Sequence, residues 1–164
     1  MQIDIIAAVA RNGAIGYRNK LLYHIAEDMA RFRRITLGHT VIMGRRTFES
    51  LPNGPLPERR NIILSRHLRE CNGAVVAHSW AEAMNCCDTA DIAFVIGGAQ
   101  IYHSAMPWAQ RMWLTEIDDT PRCADAFFPR FNRSDWMLVN EEKHSQGPDS
   151  PWAFSFADYQ LMPK

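Results

Sequence analysis

TVIMGRRTFES, Thr40–Ser50, decides the fold: an apolar run of strand length, a glycine, then a helix over Arg45–Leu51. The same order recurs in FVIGGAQIY, Phe94–Tyr102, where Gly97-Gly98 precedes a short helix running to about Met106 and closed by Pro107. Strands that feed helices through a glycine build parallel sheets by crossover, because parallel neighbours cannot be joined by a tight turn. Working outward, further strands are predicted at Ile3–Ala10, Asn61–Leu64, Ala74–Ala77, Ile92–Ile96 and Met112–Ile117, mostly apolar as expected for strands covered on both faces. Trp136–Lys143 and Trp152–Leu161 flank the turn-rich Ser145–Asp149 and close the chain as a hairpin. In the last strand the apolar phase runs Trp152, Phe154, Phe156 and then shifts to Tyr159 and Leu161, which predicts a bulge near Ala157 or Asp158. The expectation is one α/β domain over residues 1–164: an eight-stranded, mainly parallel, doubly wound sheet with an antiparallel C-terminal strand and four flanking helices.

Two further helices are marked by their ends. Ser79-Trp80-Ala81-Glu82 reads as a capping box opening a helix through about Cys87. LYHIAEDMARFRRITL, Leu22–Leu37, carries Ile25, Met29, Phe32 and Ile35 at helical spacing and stops at Gly38. Asp28 shares that apolar face, three residues after Ile25 and four before Phe32, while Glu27 and Arg31 are expected to point outward and pair. A carboxylate among apolar neighbours has a raised pKa and requires a hydrogen-bonding partner, which a ligand can supply. An acid in a first helical turn, favoured by the dipole, is the plainer alternative. Arg11–His24, with Gly13 and Gly16 and few large apolar residues before Leu21, is predicted to be a long, mobile loop.

The chain has 164 residues, 47% of them hydrophobic, and no net charge, yet that charge is uneven. Arg31–Arg69 holds nine arginines against Glu49 and Glu58, a local +7 balanced by −7 elsewhere. Arginine is the better fork for phosphate and carboxylate, and these arginines sit at the ends of elements, not along one helix, which favours an anionic small ligand over nucleic acid. The two glycine-to-helix junctions, the first with Arg45, Arg46 and Thr47, suit a pyrophosphate between two helix starts. Neither matches GxGxxG or a Walker loop, and glycines that merely turn the chain are the alternative. Ser65-Arg66, at the end of the next strand, would receive the extra phosphate that distinguishes NADP from NAD, unless Arg66 is a plain surface arginine. Cys71, Cys86, Cys87 and Cys123 and the six histidines show no metal spacing, so no metal is expected. The start, MQIDIIAAVARNG, has no basic n-region, and a reduced cytoplasmic setting is expected.

In order and spacing, Ile6-Ala7-Ala8, Ile15-Gly16, Glu27-Asp28-Met29 with Phe32, Val41–Arg45, Thr47–Ser50, Leu56–Arg59, Asn61–Ser65, Val95–Gly98, Tyr102, Leu114-Thr115, Asp125 and Phe128-Pro129 together resemble bacterial dihydrofolate reductases. That resemblance implies NADPH-dependent hydride transfer to 7,8-dihydrofolate by a monomer that binds neither nucleic acid nor membrane. It makes Asp28 the acid that hydrogen-bonds the pterin, with Thr115 beside it. Phe32, Leu51 and Leu56 would pack the pterin and aminobenzoyl parts, Arg59 would hold the glutamate carboxylate, and Ile6, Ala7 and Ile96 would line the floor near the nicotinamide. By the same resemblance the cofactor meets Ala8, Ile15, Gly16, Asn19, Lys20 and Leu21 on the closing-loop side, and Gly44, Arg45, Arg46, Thr47, Leu64, Ser65 and Arg66 on the phosphate side. Gly97, Gly98, Ala99, Gln100, Ile101 and Tyr102 complete it, Gly97-Gly98 resembling the family's cis glycine pair.

Several positions depart from the family pattern. Leu22-Tyr23 stands where many members have Pro-Trp, and Tyr23 is expected to act on the nearby water through its hydroxyl. Position 100 is Gln, not the arginine of some members, and Pro52-Asn53-Gly54 lacks an arginine found in some relatives, leaving Arg59 to hold the carboxylate alone. A reductase of another pterin or a pyrimidine is the nearest alternative, although it would not need Asp28, Phe32 and Arg59 together.

Overall fold

Ile3, Ile5 and Ala7 of the first strand point into one apolar layer and Ile6 into another, so that strand must lie inside a sheet covered on both faces. A computed structural model describes residues 1–164 and shows this arrangement. The elements are β1 (Gln2–Ala10), β2 (Ala14–Tyr17), β3 (Lys20–Leu21), α1 (Ala26–Thr36), β4 (Thr40–Gly44), α2 (Arg45–Ser50), β5 (Arg60–Leu64), β6 (Val75–Ala77), α3 (Trp80–Asn85), β7 (Ile92–Gly97), α4 (Ala99–Ala105), β8 (Arg111–Ile117), β9 (Ala126–Phe127), β10 (Trp136–His144) and β11 (Phe154–Leu161). Eight of the strands form one sheet in the order β10-β11-β8-β1-β7-β4-β5-β6. β8 through β6 run parallel, and β11 lies antiparallel between β8 and β10. Helices α3 and α4 cover the layer of Ile5, Ile42 and Val95, while α1 and α2 lay Phe32, Ile35, Phe48 and Leu51 against Ile6, Val41, Met43 and Phe94. No helix is long and apolar enough to cross a membrane.

The helix ends follow the local chemistry. Gly38 closes α1 at φ +78°. The Ser79 hydroxyl accepts from the Glu82 N–H at 3.1 Å, the forward bond of the expected capping box, while the Glu82 carboxylate reaches one residue beyond the cap and accepts from the His78 N–H at 3.0 Å.

Three expectations are corrected. Arg11–His24 is not a featureless loop. β2 and β3 form a hairpin whose two turn residues, Arg18 and Asn19, both have positive φ, and β2 pairs with β9 in a separate three-stranded sheet. Gly16 permits that pairing, because a Cβ there would lie 3.2 Å from the Lys20 carbonyl oxygen and 3.5 Å from Ala126. The bulge lies not in β11, whose pairing with β8 is unbroken, but at Val139 of β10, which has no partner between the Leu138–Tyr159 and Asn140–Asp158 pairs. The apolar phase of β11 changes because both of its faces are covered: Phe154 and Phe156 serve one cluster, Ala157 and Tyr159 the other.

The third correction concerns α1. Met29 is 55% exposed, whereas Arg31 is 6% exposed and paired with Asp158. Glu27 pairs instead with His144 of β10 at 3.0 Å. The face toward the sheet therefore runs Asp28, Arg31, Phe32, Ile35, with two charged positions in place of the expected apolar stripe.

Candidate active site

Asp28 stands in the first turn of α1, and Thr115 lies in β8 opposite Phe156 of β11. The buried Thr115 hydroxyl donates to Asp28 Oδ1, and no protein group donates to Oδ2. Burial raises the Asp28 pKa above the usual carboxylate range, opposed by the Thr115 hydrogen bond and by the charge of Arg31. Of the expected apolar lining, Ile6 is buried, while Phe32, Leu51, Leu56 and Ile96 pack against the same cluster and remain partly exposed. Ala7 faces the opposite layer, with Tyr102. The Leu56 turn is held by the buried Asn61 side chain, which accepts from the Leu56 N–H and donates to its carbonyl, both at 2.9 Å. Arg59 is braced from one side: its Nε donates to the Pro57 carbonyl at 2.9 Å and Nη1 to the Thr36 hydroxyl at 3.1 Å. Partial burial and neighbouring Arg33 lower the Arg59 pKa, and Glu58 opposes them. Arg33, which the sequence reading did not place near Arg59, is itself paired with Glu58 at 3.4 Å.

The carboxyl ends of β4, β5 and β7 open into a cleft of about 1030 Å³. Every residue expected from the sequence to meet the cofactor lines it: Ala8, Ile15, Gly16, Asn19, Lys20, Leu21, Gly44, Arg45, Arg46, Thr47, Leu64, Ser65, Arg66 and Gly97 through Tyr102, together with Ile96. Neither α2, which begins after Gly44, nor α4, which begins after Gly98, has a side-chain cap, so both present bare N–H groups. The Gly97–Gly98 peptide is cis, and Gly97 has φ +130°. A Cβ on Gly97 would lie 3.4 Å from the Thr47 hydroxyl and 3.5 Å from the Tyr102 hydroxyl, which itself donates to the Ile6 and Ile96 carbonyls at 2.8 and 2.9 Å. Arg45 reaches Glu49 at 3.5 Å, whereas Arg46 and Arg66 have no acidic partner. The Ser65 hydroxyl accepts the N–H groups of His67 and Leu68, which fixes the turn after β5. His67, His78, Ser79 and Trp80 also line this end of the cleft and were not expected there. The sequence held the signal in part: the capping box located the start of α3, but only the parallel pairing of β5 with β6 brings it beside Ser65.

Tyr23 differs from its expected role. It is buried, packs edge-on against Trp152 with ring centroids 4.8 Å apart, and directs its single O–H at Asp119 Oδ2 at 2.8 Å. Burial and that carboxylate raise its pKa. A phenol whose proton is engaged in this way cannot also donate to a water beside the pterin.

The family model described as dihydrofolate reductase matches residues 2–161. The dihydrofolate reductase of Neisseria meningitidis serogroup A is 48% identical over 156 residues, covering 94% of this chain and 96% of its own. That of Bacillus subtilis is 38% identical over 159 residues, covering 96% and 94%. A solved dihydrofolate reductase from Enterococcus faecalis, complexed with NADP(H) and RAB-propyl, superposes with a TM-score of 0.90 at 27% identity over 99% of this chain and 97% of that one.

Proposed function

The chain belongs to the dihydrofolate reductase family, and from that premise we propose that Asp28 and Thr115 receive the pterin end of dihydrofolate while the cleft above β4, β5 and β7 receives NADPH. The reaction is NADPH-dependent reduction of 7,8-dihydrofolate to 5,6,7,8-tetrahydrofolate, the form that supports one-carbon and thymidylate metabolism. The observation that carries the residue assignment is Asp28 itself, a partly buried carboxylate with one oxygen bound to Thr115 and the other without a protein donor. Such a group matches the paired amino and ring N–H donors of a pterin.

The cleft fits the cofactor on its own chemistry: a glycine junction that Cβ atoms would fill, two uncapped helix starts, and arginines without acidic partners. Lys20, Arg45, Arg46, Thr47 and Gln100 would hold the phosphates, with Ser65 and Arg66 at the phosphate absent from NADH. NADPH, when bound, supplies the hydride. Ile6, Phe32, Leu51, Leu56 and Ile96 exclude water from the pterin and fix its plane. Asp28 orients and polarises the ring, and Thr115 fixes the rotamer of Asp28. Proton delivery to the ring nitrogen falls to water, because Asp28 bonds the far edge of the heterocycle. Tyr23, bonded to Asp119, anchors the segment that leads into α1. Arg59, held by the Pro57 carbonyl and the Thr36 hydroxyl, takes the glutamate carboxylate.

The chain is expected to act as a monomer, and four free cysteines support a reduced, cytoplasmic setting. The test is Asp28→Asn, which keeps the shape and removes the charge. Dihydrofolate turnover should fall about 10²–10³-fold, the loss of one or two charge-assisted hydrogen bonds, while NADPH affinity changes less than twofold. Unchanged turnover would remove Asp28 from the site, and loss of NADPH binding would mean that the variant is misfolded or the two subsites are misassigned.

A further inference from the structure

Arg31 is the charged residue that the helical pattern placed outside and the structure places inside. Its guanidinium pairs with Asp158 of β11 and lies 4.4 Å from the Phe156 ring centroid and 5.9 Å from that of Trp113. Trp113 is itself fixed: Nε1 donates to Asp4 Oδ2 at 2.9 Å, and Arg111 lies 4.3 Å from the same ring. In the sheet, Phe156 is the direct partner of Thr115 and Asp158 that of Trp113, two residues before Thr115 on the same face, so the arginine is held over the stretch of sheet that carries the threonine bound to Asp28. Arg31 follows Asp28 by three residues, which makes them neighbours on one helix face.

A buried ion pair is seldom a net gain in stability, because well-packed apolar side chains serve as well without the desolvation cost. What this pair provides that apolar residues would not is a fixed positive charge beside a carboxylate, in a region where few other charges compete. On α1, Glu27 is occupied by His144 of β10. From β8, Thr115 faces Asp28 as a donor, while Glu116 pairs with Arg133. β11 contributes Asp158 and α4 the Tyr102 hydroxyl, bonded to carbonyls. Asp119 is turned to Tyr23. Arg31 is the cation of this group that lowers the pKa of Asp28 against the effect of burial.

We propose that Arg31, locked by Asp158 and two aromatic rings, is a positioning residue that sets the pH range over which Asp28 works. The proposal rests on Asp28 being the acid that binds the pterin. Removing Asp158 leaves the arginine's charge unbalanced and favours ionised Asp28. Removing Arg31 leaves a second buried carboxylate and favours the protonated acid.

The experiment is the pH profile of single-turnover hydride transfer from NADPH to dihydrofolate, with the Asp28 carboxyl titrated in the NADPH complex by ¹³C NMR. Asp158→Asn should move the inflection down by about one pH unit and Arg31→Met should move it up by about one, as expected for a unit charge one helical turn away. Arg31→Lys should restore the wild-type inflection, since it keeps the charge. Uniformly lower rates with an unmoved inflection in Asp158→Asn would overturn the proposal and leave the pair a packing device. Should Arg31→Met not fold, Asp158→Asn and Arg31→Lys decide the question alone. Asp28→Asn is the control: an inflection that survives it would refute the assignment of Asp28, not the part played by Arg31.

Discussion

Replacing Thr115 by Val isolates the bond on which the pterin site depends. Valine is nearly isosteric with threonine, and Thr115 is 2% exposed, so the change removes a hydroxyl without opening a cavity. What is lost is one hydrogen bond to a charged, partly buried carboxylate, worth about 1.5–3 kcal/mol. That loss raises the Asp28 pKa further, because the Thr115 hydrogen bond opposes the effect of burial. The sign follows from linkage. A folded-state carboxyl pKa above the unfolded value means that the native state binds more protons, so stability falls as pH rises through the interval between the two. Thr115→Val widens that interval. The variant should therefore be about 1.5–3 kcal/mol less stable than wild type at pH 8, and most of the deficit should vanish as pH falls toward the unfolded carboxylate value of 3.8. Urea unfolding at several pH values reads this directly, and adding Asp28→Asn should abolish the pH-dependent part. The same variant should lose affinity for dihydrofolate above neutral pH while binding NADPH normally. A deficit of equal size at pH 4 and pH 8 would refute the reasoning, because it would show that the hydroxyl matters for packing and not for the carboxylate's charge.

Other expectations concern the rest of the cleft. Arg59→Leu should raise the Michaelis constant for dihydrofolate about tenfold or more while leaving that for a dihydropterin without glutamate nearly unchanged, the loss of one charge-assisted carboxylate pair. Arg66→Ala should lower the preference for NADPH over NADH by about tenfold in kcat/KM; an unchanged ratio would move the distinguishing phosphate elsewhere. Gly97→Ala places a methyl group at φ +130° and 3.4 Å from the Thr47 hydroxyl, so it should weaken NADPH binding, read by titration, and lower stability by about 1–3 kcal/mol.

The eight strands of the main sheet, the four helices and the two glycine-to-helix junctions were legible because each rests on local chemistry, whereas the residues expected on the closing-loop side of the cleft came from the family resemblance. Continuous apolar runs mark strands buried on both faces, glycines mark the junctions, and Ser79–Glu82 marks a helix start by its own hydrogen bonds. The failures share a cause, namely that the partner lies far away in sequence. Arg31 looked like an outward residue because Asp158, 127 positions later, is what makes its burial tolerable. Met29 looked buried because apolar spacing alone cannot separate a core face from an exposed one. The three-stranded sheet was hidden because β2 pairs on its other side with Ala126 and Phe127, and Tyr23 lost its expected role to Asp119, which sequence spacing does not place beside it.

The most direct measurement is the loss of reduced nicotinamide absorbance when the purified protein is mixed with dihydrofolate and either NADPH or NADH. Rapid, dihydrofolate-dependent oxidation of NADPH, and much slower oxidation of NADH, is the predicted result. Tight binding of NADPH with no turnover of dihydrofolate would contradict the account at the Asp28–Thr115 site.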